Sequence, residues 1–222
     1  MLERILEPEV MDTWEDAVEY DAMDFTDVNT AFAERALELA PSNGLVLDAG
    51  TGTARIPIAV LQRNRQLSIV AVDYSKNMLK LAETNVGDAG FQEQIVLRFA
   101  DAENLDFSSS HFDFVMSNSL AHHLPDPLPF LREIRRVVKP TGGILIRDLV
   151  RPESKAALEA LVQKYAGDCD EYQKKLYRDS LHASLTMAEV QELANNAQML
   201  DVKVVRSSDR HWSIEREWRQ YE

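Results

Sequence analysis

The stretch LVLDAGTGTAR, residues 45–55, decides how the rest of the chain is read. Its first part, LVLDAG (45–50), is a short apolar run that reads as a buried strand. The run passes directly into Gly50 and Gly52, and ARIPIAVLQRN (54–64) then reads as a helix, with Pro57 tolerable only in its first turn. A glycine pair at this place lets the backbone turn sharply and lets a ligand lie against it. The following helix offers free N–H groups and the positive end of its dipole. Such a loop suits a nucleotide, a dinucleotide or another adenosyl compound. Spacing narrows the choice. The dinucleotide fingerprint requires a small residue three positions after the second glycine, and this chain has Arg55 there. A P-loop requires Gly-Lys-Ser/Thr, but Gly52 is followed by Thr53. An acid, Asp48, stands two residues before Gly50.

Outward from this loop the chain alternates. LSIVAVD (67–73), QIVLRFAD (94–101), FDFVMSN (112–118) and GILIRDLV (143–150) read as further strands. SKNMLKLAETNVGDAG (75–90) and DPLPFLREIRRVVK (126–139) read as helices; in the second, Phe130, Leu131, Ile134, Val137 and Val138 share a face. Continuous apolar strands alternating with helices predict a parallel sheet covered on both sides. Before the loop, residues 27–40 place Val28, Phe32, Ala36, Leu39 and Ala40 at helical spacing, and Pro41 to Gly44 stop that helix. After the fifth strand, residues 153–178 read as helical and highly charged. Thr186 and Glu189 form a capping-box signature ahead of a helix. MLDVKVVR (199–206) and RHWSIEREW (210–218), separated only by Ser207 to Asp209, predict an antiparallel hairpin.

Composition sets outer bounds. A chain of 222 residues, 45% hydrophobic and 27% charged, suits one globular domain, read here as 1–222. Within it, 1–40 is an N-terminal helical segment, 45–150 the core, 151–185 a helical insertion, and 186–222 a final helix and hairpin. The net charge of −13 repels phosphate backbones and anionic lipid heads, so nucleic acid and membrane surfaces are not expected partners. No run approaches a membrane span, and the acidic start MLERILEPEV does not read as a secretory signal, which leaves the cytoplasm as the expected location. The lone Cys169 stands between Asp168 and Asp170, a setting that does not favour a nucleophilic thiolate.

DAGTGTA resembles the first motif of class I S-adenosylmethionine-dependent methyltransferases, an acid followed by G-x-G-x-G, with Ala54 in place of the third glycine. VDYSKNML (72–79), ADAENL (100–105), FDFVMSNSLAHHLPDP (112–127) and RRVVKPTGGILI (135–146) resemble the later motifs in family order. EYDAMDF (19–25) resembles a segment that folds over the cofactor in the quinone-biosynthesis branch. The resemblance implies a doubly wound, Rossmann-like α/β fold: a seven-stranded, mostly parallel sheet with an antiparallel last strand and helices on both faces. It implies S-adenosyl-L-methionine as cofactor, S-adenosyl-L-homocysteine as product, and a small-molecule acceptor. It assigns the glycine loop (Asp48, Gly50, Thr51, Gly52) to the amino-acid end and Asp73 to the ribose hydroxyls. Asp101 with the Ala102 backbone takes the adenine edge, Tyr74 and Met78 lie against it, Tyr20 lies over the cofactor, and Ser117 stands at the methyl end. The residues agree: an ionised, acceptor-only carboxylate such as Asp73 can take both hydroxyls. Each also has a plainer reading, Asp73 as a helix cap, Asp101 as a turn former, Met78 as core.

His122 and His123 follow the fourth strand, where open α/β sheets bind ligands. Either could take a proton from an acceptor, and the resemblance aligns His123 with the family's loop histidine. They could instead shape the loop. A metal site with Asp126 would lack a further ligand, so none is expected. His111 and His211 read as surface or sheet-edge residues. In 151–185, Tyr165, Tyr172, Tyr177, Arg178 and His182 are candidates for a substrate lid, and no cationic pocket demanding an acidic substrate is evident in the sequence. The chain has Ser117, Asn118, Ser119 and Leu120 where adenine methyltransferases carry an Asn-Pro-Pro-Tyr type of loop. Competing readings are a cofactor-binding protein or non-catalytic scaffold and, against Arg55 and Asp48, a nicotinamide-dependent oxidoreductase. A monomer or a homodimer would serve equally.

Overall fold

In a computed structural model that describes residues 2–7 and 13–220, the alternation predicted around the glycine loop becomes one seven-stranded sheet. Residues 1, 8–12 and 221–222 lie outside the described residues, so the N-terminal segment 1–40 is followed only in part. The strands are β1 (Gly44–Ala49), β2 (Leu67–Asp73), β3 (Ile95–Phe99), β4 (Phe112–Asn118), β5 (Val138–Leu149), β6 (Lys203–Arg206) and β7 (His211–Arg216). Their order is β3-β2-β1-β4-β5-β7-β6. The first five run parallel, and β7 is antiparallel to both β5 and β6, as the short Ser207–Asp209 connection predicts. β5 starts earlier than its apolar run because Val138 pairs with Phe112 ahead of a register shift in β4.

The helices are α1 (Trp14–Ala22), α2 (Thr26–Leu39), α3 (Arg55–Arg63), α4 (Lys76–Ala89), α5 (Leu128–Val137), α6 (Lys155–Ala166), α7 (Glu171–Ala183) and α8 (Met187–Asn196). Alternate residues of each strand feed two cores. On one face Phe32, Ala36, Ile58, Leu61, Ala82 and Val86 from α2, α3 and α4 meet Val46, Ile69, Phe114, Met116 and Leu145. On the other, Phe130, Ile134, Val190 and Ala194 from α5 and α8 meet Leu47, Val70, Val115, Ile144, Trp212 and Ile214. The charged stretch 153–178 divides into α6 and α7, with α7 continuing to Ala183. These two form a smaller core of Leu158, Val162 and Leu181 over Leu149, at the end of β5.

The caps follow the sequence. Thr186 and Glu189 make the reciprocal capping box of α8, and Ser75 caps α4 by accepting from Met78 N. His211 is a correction. β7 lies between β5 and β6 and is not an edge, so His211 is buried. His111 is exposed, as expected.

Candidate active site

The strand order reverses between β1 and β4, and the carboxyl ends of those strands bound a crevice of the kind where open α/β sheets bind ligands. The glycine loop stands at its centre. Gly50 and Gly52 have φ of +76° and +54°, conformations that cost a side chain free energy. Gly50 N and Thr51 N both donate to Val72 O at 2.9 Å, which pins the loop to the end of β2. Ala54, the residue in place of a third glycine, also has positive φ (+61°) at the start of α3. Arg55, which breaks the dinucleotide fingerprint, forms a 2.6 Å ion pair with Asp21 of α1. Asp21 also accepts from Asn85 Nδ2 of α4, so α1 is held beside the loop. Tyr20 thereby comes to Gly52, where an added Cβ would meet its ring at 3.9 Å.

Two acids sit under this loop. Asp48 is 1% exposed, and its Oδ2 has no hydrogen-bond partner among the described residues; nor has the buried Thr51 Oγ1 beside it. Burial pushes the Asp48 carboxyl up to about 7; the adjacent Thr51 hydroxyl opposes the rise and the neighbouring Asp73 charge adds to it. Asp73 accepts from Gly52 N at 2.7 Å on one oxygen and Ser75 N at 2.8 Å on the other. Burial raises its carboxyl, and those N–H groups partly oppose the rise. Burial, Asp73 and Asp21 push the Tyr20 hydroxyl up to about 12. Helix capping falls to Ser75, so Asp73 has oxygen lone pairs to spare.

At the other side of the crevice, His122 is 4% exposed, and its Nδ1 lies 2.6 Å from Asp148 Oδ1. Asp148 Oδ2 accepts the His122 backbone N–H at 3.0 Å. Burial pulls the imidazole down, but the Asp148 anion and Glu7 more than offset this and hold it above the usual histidine value. His123 is half-exposed, with Nδ1 2.7 Å from Glu7 Oε2. Burial raises the Glu7 carboxyl, yet His123, His122 and the Ser180 hydroxyl together bring it down to about 2. Glu7 Oε1 stands 3.8 Å from His122 Nε2, too far for a hydrogen bond.

A profile described as a methyltransferase domain matches residues 41–213, most of the chain. The chain belongs to the methyltransferase domain family. Among relatives, the demethylmenaquinone methyltransferase of Bacillus velezensis is 38% identical over 108 residues, 48% of this chain and 46% of that protein. A protein of Geotalea daltonii named ubiquinone/menaquinone biosynthesis C-methyltransferase UbiE is 29% identical over 122 residues, 54% of this chain and 52% of its own. The chain thus spans about half the length of the curated relatives it matches. A solved structure of a SAM-dependent methyltransferase from Aquifex aeolicus shares the fold, with a TM-score of 0.66, 19% identity, and coverage of 91% of this chain and 97% of the other.

The methyltransferase fold explains where its sequence motifs end up. Tyr20, Asp48, Gly50, Thr51, Gly52 and Asp73 gather around the loop. A small zwitterionic ligand fits the chemistry there: among the described residues buried polar atoms lack partners, the glycines carry no side chain, and Asp73 keeps free lone pairs. The remaining candidates are placed differently. Tyr74 is 68% exposed and stacks on Phe99 with ring centroids 5.2 Å apart. Met78 and Ala102 are buried in the core. Asp101 is exposed and accepts from Glu103 N, the turn-forming role. The Ser117 hydroxyl is buried and donates to Ala49 O at 2.7 Å, bracing β4 against the end of β1.

Sequence reasoning missed Asp148 and Glu7. Asp148 looks like part of an apolar strand, and only the pairing of β5 with β4 sets it against His122. Glu7 is remote in sequence and arrives through the N-terminal segment, which Arg4 ties to the carbonyls of Ala183, Leu124 and Pro125. Asp126 is not the third member of the histidine cluster. Glu7, His122 and His123 present ligand atoms within 4.8 Å of one another, so the acid beside the two histidines is Glu7, which His123 engages at 2.7 Å. Among the described residues, no helix is long and apolar enough to cross a membrane.

Proposed function

We propose that this chain transfers the methyl group of S-adenosylmethionine to a small-molecule nucleophile, leaving S-adenosylhomocysteine. The observation that carries the reading is the positive-φ glycine loop at the sheet's switch point with Asp48 and Asp73 beneath it. When bound, the cofactor supplies a methyl group already activated by its sulfonium. The protein's work is then alignment and exclusion of water. Gly50, Thr51 and Gly52 would cradle the carboxylate, Asp48 would answer the ammonium, and Asp73 would take the ribose hydroxyls. Asp101 and the Ala102 backbone would meet the adenine edge, flanked by Tyr74 and Met78, with Tyr20 above and Ser117 shaping the floor.

For the acceptor's proton, the geometry favours His122 over His123. Asp148 fixes the His122 ring through Nδ1 and leaves Nε2 without a hydrogen bond among the described residues, which is how an orienting carboxylate prepares a general base. His123 is spent on Glu7 and positions the N-terminal segment. Residues 151–185, with Tyr165, Tyr172, Tyr177, Arg178 and His182, would cover the acceptor. The reading includes one domain over 1–222, a cytoplasmic location, no resident metal, no nucleic-acid or membrane partner, and a monomer or homodimer.

Calorimetric titration with S-adenosylhomocysteine, with NADH as control, tests the cofactor assignment. The adenosyl compound should saturate the protein and NADH should not; binding of NADH alone would overturn it. Asp73→Ala should weaken S-adenosylhomocysteine by about 10–100-fold, the worth of hydrogen bonds to a charged acceptor. Firm cofactor binding with no turnover across a broad acceptor panel would instead favour a non-catalytic scaffold.

A further inference from the structure

Arg147 lies on β5 beside Asp148, at the carboxyl end of the sheet that faces the crevice. Its Nε donates to Asn118 Oδ1 at 2.9 Å and its Nη2 to Val28 O at 3.1 Å, while the guanidinium lies 4.7 Å from the Phe32 ring centroid. All these partners are neutral, and among the described residues no carboxylate pairs with it. Nearby Asp148 is already engaged by His122.

The register sets more positive character against it. Arg147 pairs with Ser213 and Leu149 with His211 across β5 and β7, so Arg147 and His211 project from the same face. Arg210, one residue before His211, lies 3.8 Å over the Tyr165 ring and 6.0 Å from that of Tyr177. Tyr165 belongs to α6 and Tyr177 to α7, the helices over the end of β5. Arg147 and Arg210 both keep partial exposure. The charges feel one another: burial and the two arginines push His211 down to about 3, and burial and Arg210 lower Arg147. The two acids at this corner are engaged elsewhere, Asp148 by His122 and Asp209 by Lys164 at 2.7 Å and the Tyr165 hydroxyl at 2.6 Å, so a half-buried cation facing another cation and a neutral imidazole is stabilised by an anion that enters. That this happens in a chain of net charge −13 makes the corner a local trap for an anion.

We infer that Arg147, Arg210 and His211, roofed by Tyr165 and Tyr177, form the acceptor subsite for an anionic group, so that the methyl acceptor carries a carboxylate or a phosphate. This rests on the methyl-transfer reading for its purpose, but the anion site stands on its own geometry. Arg147 supplies a half-buried charge and directed N–H groups, Arg210 a second charge held flat by the tyrosines, and His211 a polar ring on the same face as Arg147.

The test titrates the full chain, with and without S-adenosylhomocysteine, with benzoate, phenyl phosphate, inorganic phosphate and neutral benzyl alcohol. Benzoate or phenyl phosphate should bind at least about 10-fold more tightly than benzyl alcohol, and which of the two wins identifies the anion. Arg147→Gln and Arg210→Gln should each weaken the anion by about 10-fold or more and leave S-adenosylhomocysteine affinity unchanged; Arg147→Lys should recover part of the loss. Arg210→Gln keeps the test decisive if Arg147→Gln does not fold. Equal affinity for benzoate, phenyl phosphate and benzyl alcohol, or anion binding untouched by both arginine variants, overturns the inference. Loss of S-adenosylhomocysteine binding with anion binding intact would count against the methyl-transfer reading alone.

Discussion

At the scale of single residues, the site is governed by acids whose surroundings set their charge. Asp48 is buried with one oxygen unpaired among the described residues and holds its proton up to about 7. A cofactor ammonium favours the anion, so binding at or below neutral pH should release a proton and tighten as pH rises toward 7. Calorimetry of S-adenosylhomocysteine in buffers of different ionisation enthalpy should record that release, and Asp48→Asn should abolish it. Asp148 acts through another group. It holds the His122 ring and raises its affinity for a proton. A general base works in its neutral form, so the turnover profile should climb with pH through a value above the ordinary 6.5 of histidine. Asp148→Asn should lower kcat by about 10²–10⁴-fold and move that limb toward lower pH, with S-adenosylhomocysteine affinity unchanged. A fall in kcat without a shifted limb would make Asp148 merely structural.

Secondary-structure elements are fitted to each other more tightly than their sequences suggest. At Gly143 on β5, an added Cβ would lie 2.6 Å from Leu39 O at the end of α2 and 2.6 Å from the Phe114 ring of β4. The backbone contact cannot be relieved by a rotamer change, so Gly143→Ala should cost about 1–3 kcal/mol, read by urea denaturation. The contact also shows how α2 seats on the sheet. The sequence read 143–150 as a strand entered by a glycine turn, but the reason for glycine there lies in a helix far earlier in the chain. The same holds for β7. Its alternating pattern was legible in RHWSIEREW, while its central position, which buries His211, depends on pairing with β5.

The whole molecule carries an acid-sensitive imbalance. His211 is 8% exposed and held down to about 3 by burial and the two arginines. Below the ordinary value of 6.5 the unfolded chain takes a proton on this residue while the folded chain does not. At this residue the unfolded state therefore binds more protons, and the stability that His211 contributes falls as pH drops from 6.5 toward 3, with a slope of up to about 1.4 kcal/mol per pH unit. Asp48, held up to about 7, and His122, held above its ordinary value, act in the opposite sense in the same window, so the His211 contribution is read as a difference: in urea denaturation between pH 6.5 and about 5, His211→Gln should lose less stability on acidification than the unsubstituted chain. Glu7, held down to about 2, adds its own loss only at lower pH, as the carboxylate is protonated and the pairing of the N-terminal segment with His123 is released.

The chain's own pattern settled the sheet, the direction of its strands, the two covering layers and the glycine loop with Asp48 and Asp73, because periodicity and turn chemistry are local properties. It also carried the family motifs, since these are contiguous stretches around single loops. Three-dimensional packing decided the rest. Glu7 reaches His123, Asp148 reaches His122, and Arg147 shares a face with His211 only after distant strands pair and the N-terminal segment crosses the sheet's end. Charges separated along a chain have no sign of their partners written beside them. Their pairing, burial and proton affinity come into being when the backbone closes and water leaves.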